Sequence, residues 1–138
     1  MPTNKEFTIR MEDRPGTLGK VSKALADQQV NIVAFQSFPS TAKGESTVRM
    51  IFDNPARAKT VLDAQGVNYE EKEVARITLP NRPGELARAA ISLGEADINI
   101  DYAYSGVDPD TDDPLLFFGV NDVSKAASIL DQTVAKAA

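Results

Sequence analysis

The sequence predicts an α+β protein in which one βαββαβ unit is used twice. Three observations carry that expectation. Runs that alternate apolar and polar residues mark strands, and runs with apolar residues every three or four positions mark helices. The tripeptide Arg-Pro-Gly stands at Arg14–Gly16 and returns at Arg82–Gly84, 68 positions later and in the same setting.

Taken in order, Phe7-Thr8-Ile9-Arg10-Met11 alternates as a half-buried strand does. From Gly16 to about Gln28, Leu18, Val21, Ala24 and Leu25 form one helical face. Val30 opens a second strand that runs to about Phe38, and Pro39–Gly44 has the composition of a turn. Thr47–Phe52 is a third strand. Asn54-Pro55 reads as a cap followed by a first-turn proline, and Gly66 ends the helix it starts. Val67-Asn68-Tyr69 begins a short fourth strand.

The second half repeats this at the same spacing. Ile77 and Leu79 stand for Ile9 and Met11. Leu86, Ala89 and Leu93 stand for Leu18, Val21 and Leu25, and Ile98-Asn99-Ile100 for Val30-Asn31-Ile32. Phe118 and Val120 stand for Met50 and Phe52, and Ala126, Ile129 and Leu130 for Ala58, Val61 and Leu62. The second copy lacks its last strand, because position 67 maps onto Ala135, near the last residue given. The expected domains are residues 5–72 and 73–138. Glu70-Glu71-Lys72-Glu73 is too short for a free linker, so the halves are expected to be tightly joined. The missing strand leaves a sheet edge that needs cover, from another subunit or from the shared segment itself.

The repeated loop has a physical logic. Proline presets the φ of a first helical turn and gives up an N–H that would be unpaired there. Glycine lets the backbone turn and lets another group come close. Asp13 and Asn81 are expected to cap the turn that follows. A helix start also favours an anion such as a carboxylate.

Composition narrows the function. With 42% hydrophobic and 25% charged residues the chain is of soluble globular type. No apolar run approaches the roughly 18–20 residues that span a bilayer. The stretch from Met1 to Glu6 lacks the apolar core of a secretory signal, so a cytoplasmic location is expected. A net charge of −5 with scattered Lys and Arg argues against nucleic-acid binding. The sequence has no cysteine and no histidine, which removes thiolate chemistry, the commonest general base and the commonest transition-metal ligand.

Strand–[Asp/Asn]-Arg-Pro-Gly-x-Leu–helix–[Val/Ile]-Asn-Ile–strand, present twice, resembles tandem ACT domains over roughly Phe7 to Ala135. The resemblance implies ferredoxin-like units, with antiparallel sheets and helices on one face, paired side by side. It also implies an amino acid bound where paired units meet. In a βαβ crossover the loop lies at the top of strand one and Asn31 at the bottom of strand two. An approximate two-fold pairing is therefore expected to set the Asp13–Leu18 loop against Asn99 and the Asn81–Leu86 loop against Asn31.

The implied ligand-binding residues are Asp13, Arg14, Pro15, Gly16, Thr17, Leu18, Asn31 and Ile32, with Asn81, Arg82, Pro83, Gly84, Glu85, Leu86, Asn99 and Ile100. Loop N–H groups suit the carboxylate, and an asparagine amide suits either end of the ligand. Asn81 can donate to a carboxylate where Asp13 repels one, so the Asn81/Asn31 site is expected to bind better. Met11 and Leu79 fill places before the loop that are often polar in the family.

Asp108-Pro109-Asp110-Thr111-Asp112-Asp113 resembles the start of a calcium loop. It lacks glycine at the sixth position and glutamate at the twelfth, and is expected to be a solvated hairpin turn. No nucleophile or acid–base pair stands out. The expectation is a non-enzymatic, amino-acid-binding regulatory protein without cofactor or metal, allosteric and homodimeric. Neither nucleic acid nor membrane is an expected partner. The alternative is an interaction or oligomerisation module of the same fold that binds no metabolite.

Overall fold

Phe7, Ile9 and Met11 put three apolar side chains on one face of a strand, and the helix-spaced Leu18, Val21 and Leu25 supply a face to meet them. A computed structural model of the chain describes residues 3–137. The elements are β1 (Thr3–Glu12), α1 (Thr17–Asp27), β2 (Ile32–Pro39), β3 (Glu45–Phe52), α2 (Pro55–Gln65) and β4 (Asn68–Thr78). They continue with α3 (Glu85–Glu95), β5 (Tyr102–Val107), β6 (Pro114–Gly119) and α4 (Val123–Ala137). Two compact units result, one of residues 5–72 and one of residues 73 onward with residues 3–4 added.

In the first unit β3 lies between β1 and β2, antiparallel to both. Ile9 faces Val48 and Phe7 faces Met50, and these side chains point toward the helices. The core joins them to Val21 and Leu25 of α1, Phe52 of β3, and Ala58, Val61 and Leu62 of α2. Phe7 meets Phe52 edge-on with ring centroids 5.1 Å apart, and Tyr69 of β4 at 5.6 Å. Ion pairs from Lys5 to Glu71 and from Arg10 to Glu70 tie β1 to the first half of β4. Asn54 caps α2 by accepting from the Arg57 N–H at 3.1 Å, Pro55 occupies its first turn, and Gly66 closes it at φ 68°.

The second unit repeats this register at an offset of 68. Ile9↔Val48 becomes Ile77↔Leu116, and Gln36↔Arg49 becomes Tyr104↔Phe117. Its core gathers Ile77, Leu79, Ala89, Leu93, Phe118, Ala126 and Leu130. Met11 and Leu79 are therefore core residues. Among the described residues no strand follows α4. Residues 3–4, by contrast, belong to this unit, where Asn4 Oδ1 accepts from Arg76 Nη1 at 2.9 Å. The sequence assigned neither residue to the second copy.

Several boundaries differ from expectation. Residues 28–30 close α1 and do not begin a strand. The Gln29 N–H donates to Ala26 O and the Val30 N–H to Leu25 O, with Gln29 left-handed at φ 60°. This is a Schellman closure, and the second repeat copies it with Asp97 at φ 60°. Ile98-Asn99-Ile100 is likewise outside the strand, which begins at Tyr102. Glu70–Glu73, expected to be too short for a free linker, lies inside the single strand β4. Leu86, placed on the buried face by analogy with Leu18, is 56% exposed. The hairpin after β5 holds Asp108, whose carboxylate accepts from Thr78 Oγ1 and the Asp110 N–H, each at 2.9 Å. Those bonds hold its carboxyl below the usual range, and the segment is a turn.

Gly119 pairs with Tyr102, and a Cβ built on it would run into the Tyr102 ring. Gly119→Ala is expected to cost about 1–3 kcal/mol, read as a lower urea midpoint at unchanged m. Adding Tyr102→Ala is expected to restore part of the loss.

Candidate ligand-binding site

The first loop leaves β1 at Glu12. The Asp13 N–H donates to Gly44 O at 3.0 Å, which ties the loop to the β2–β3 turn. The Asp13 carboxylate accepts from Ser46 Oγ at 2.9 Å. Asp13 therefore does not cap α1, contrary to expectation. The residue before the helix is Gly16, at φ 91°, and it offers no side chain to cap with. Gly84 repeats this at φ 92°, so Asn81 does not cap α3 either. Among the described residues no side chain caps the start of α1, and the Thr17 N–H turns back to Arg14 O at 3.4 Å.

Beside this loop lies a cleft of about 770 Å³, wholly within the first unit. That volume falls within the few hundred to about 1,000 Å³ usual for small-molecule sites. Arg14–Thr17 form one wall with Lys20 and Val21 of α1. Lys43–Glu45 of the β2–β3 turn and Arg10–Glu12 of β1 form another. Gln65–Asn68, at the end of α2, close the third. Charges of both signs line it. Arg14 Nε pairs with Glu12 at 2.8 Å, and Arg10 lies 3.9 Å from Glu45. Among the described residues Lys20 and Lys43 make no ion pair.

Two helix ends meet here. The start of α1 carries the positive end of its dipole and the end of α2 the negative end of its own. A molecule with an anionic and a cationic group finds a complement for each in one cleft.

Asn31 is elsewhere. Glu12 pairs with Glu45 at one end of β3, and Ile32 with Phe52 at the other. Seven strand steps at about 3.3 Å put roughly 23 Å between those ends. Asn31 exchanges bonds with Asp53 there, its N–H donating to Oδ1 at 2.9 Å and its carbonyl accepting at 3.1 Å. Asn99 lies at the corresponding far end of its own sheet, and its Nδ2 donates to Asp101 Oδ1 at 2.9 Å. Each unit thus separates its own loop from its own asparagine. Leu18, Ile32 and Ile100 pack against the cores.

The second loop is built differently. Glu85, at the first position of α3, is 8% exposed. Its Oε1 accepts from Arg88 Nη2 at 2.6 Å and its Oε2 from Arg82 Nε at 2.8 Å. Arg88 Nη1 also donates to Thr133 O on α4 at 2.7 Å. Arg88 first, and Arg82 after it, hold the Glu85 carboxyl below the usual glutamate range, against the opposing effect of burial. Asn81, Pro83 and Gly84 are exposed around this cluster.

The model for the ACT domain pair matches residues 2–134. The chain belongs to the ACT-domain-pair family. A protein of Bacteroides thetaiotaomicron has the same fold at TM-score 0.82, with 22% identity over 96% of this chain and 90% of that one. The ligand-free regulatory subunit of aspartate kinase from Thermus thermophilus matches at TM-score 0.63, with 14% identity over 96% and 93%. The corresponding subunit from Thermus flavus matches at 0.60, with 13% identity over 97% and 94%. No curated protein matches the chain. Among the described residues of this ACT pair, no helix is long and apolar enough to cross a membrane. No group of three or more His, Cys, Asp or Glu among them is placed to hold a metal.

Sequence reasoning missed Lys20, Lys43, Gln65 and Arg88. The repeat spacing could have found Lys20 and Arg88, since both are cations six positions after the repeated arginine. A depressed carboxyl pKa contributes stability above its unfolded value, and that contribution is lost as pH falls through the folded value. Glu85→Gln is therefore expected to lower the melting temperature at pH 7 and to narrow its gap from the parent chain near pH 3, read by circular dichroism melts.

Proposed function

We propose that this ACT domain pair is a regulatory sensor, not a catalyst, whose ligand is an amino acid held in the cleft beside Arg14–Thr17. The observation that carries this reading is the cleft itself. It brings the uncapped start of α1, beside Lys20, and the end of α2 into one lining that also holds Lys43, Glu12 and Glu45. A zwitterion would place its carboxylate at the start of α1 and its ammonium at the end of α2. Of the residues the sequence singles out, Arg14, Pro15, Gly16 and Thr17 are assigned to the ligand.

Each repeat is read as a ferredoxin-like βαββαβ unit that serves as scaffold. Binding would shift a conformational or oligomeric equilibrium toward the liganded form, with a homodimer as the working assembly. The similar Thermus chains are regulatory subunits of aspartate kinase, and a comparable role as a subunit or stand-alone sensor is proposed for this chain.

The test is a thermal-shift panel of the twenty amino acids at millimolar concentration. A ligand at about 100 times its Kd stabilises by about 2.7 kcal/mol, so one amino acid or a small group is expected to raise the melting temperature by several degrees. Lys20→Ala is expected to reduce that rise. No shift with any of the twenty would favour the interaction-module reading, and gel filtration with and without the responding amino acid would check the oligomeric readout.

A further inference from the structure

The two repeats can be compared position by position. Thr17 stands where the second repeat has Glu85, Lys20 where it has Arg88, and Gln65 where it has Thr133. In the second repeat these places form a closed strap. Glu85 is clasped by Arg82 and Arg88, and Arg88 reaches across to the carbonyl of Thr133. In the first repeat the same places line the open cleft. Thr17 is too short to bring a carboxylate to Lys20. Arg14 turns to Glu12 at 2.8 Å, where the second repeat has Pro80. That exposed pair engages one of the five N–H donors of Arg14 and is weak.

We propose that the first repeat takes a free carboxylate into the seat between Arg14 and Lys20 that Glu85 fills between Arg82 and Arg88, so that the chain carries one ligand seat and not two. Glu85 acts as a built-in stand-in for the ligand's carboxylate and keeps the second seat permanently occupied. The site reading above supplies the ligand's identity as an amino acid; the seat itself is defined by the carboxylate alone. Thr17 is the residue that keeps the first seat open.

The test is an amide chemical-shift titration with sodium acetate against sodium chloride at equal ionic strength. In the parent chain, saturable shifts are expected at Gly16–Lys20 and not at Gly84–Arg88. Thr17→Glu is expected to weaken acetate binding by about tenfold or more, as the internal carboxylate competes, while Thr17→Gln weakens it by about threefold or less. The amide spectrum reports whether each variant is folded, and Thr17→Asp replaces Thr17→Glu if that chain does not fold. Equal shifts at both loops, no shifts at either, or unchanged acetate affinity in the acidic variant would overturn the proposal. The two readings fail separately. Acetate at the first loop alone, with no amino acid raising the melting temperature, keeps the seat and removes the sensor. An amino acid that stabilises Thr17→Glu as well as the parent does the reverse.

Discussion

The pairing of β1 on β3 is the constraint from which the rest follows. With Ile9 opposite Val48, the apolar positions of both strands share one sheet face and can meet α1 and α2. A slip of one residue would turn every one of those side chains to the other face. The same register sets Glu12 beside Glu45 and leaves Ile32 beside Phe52. It therefore decides that the loop and Asn31 occupy opposite ends of the sheet, and that the cleft is built from the loop, the β2–β3 turn and the end of α2.

A second constraint acts at the loop. Gly16 and Gly84 turn the chain from strand to helix with φ near 90°, a conformation that strains any residue carrying a Cβ. A Cβ at either position would meet nothing within 4 Å, so the demand for glycine comes from the backbone and not from crowding. This turn brings no capping side chain to the helix start. A serine or aspartate cap would occupy the N–H groups of the first turn. In the first repeat no side-chain cap takes that place beside the cleft. In the second the space is taken by the strap that runs through Glu85 and Arg88.

Much of the fold was legible because its signals are local or periodic. The alternation of Phe7, Ile9 and Met11, the helical spacing of Val21 and Leu25, the Asn54-Pro55 start and the Gly66 stop all act over a few residues. The 68-residue repeat then carried that reading to the second half, where the observed strand pairing keeps the same offset. What stayed hidden depends on contacts that sequence spacing does not rank. Asp13 has the chemistry of a cap, but Ser46, 33 positions away, offers a competing donor. Gln29 and Asp97 hold left-handed positions usually given to glycine, so neither announced the end of its helix. Glu85 read as a loop residue facing a ligand. Its burial depends on two arginines flanking it at three residues on either side and on the distant carbonyl of Thr133.

The contrast between the repeats bears on what a duplicated ACT unit can do. A buried carboxylate is stable only when its hydrogen bonds are made, and Glu85 makes its bonds within its own unit. Its seat is thus filled whatever the ligand concentration. Arg14 is exposed and pairs with Glu12, and Lys20 is exposed to solvent, so neither is tied to a buried partner as Arg82 and Arg88 are. One unit is then fixed by its own sequence while the other has a free energy that depends on what the solution supplies. A ligand can shift an equilibrium only by its differential affinity for the two states. On the proposed reading, with one seat filled and one open, all of that difference comes from the first unit, and the response saturates in a single binding step.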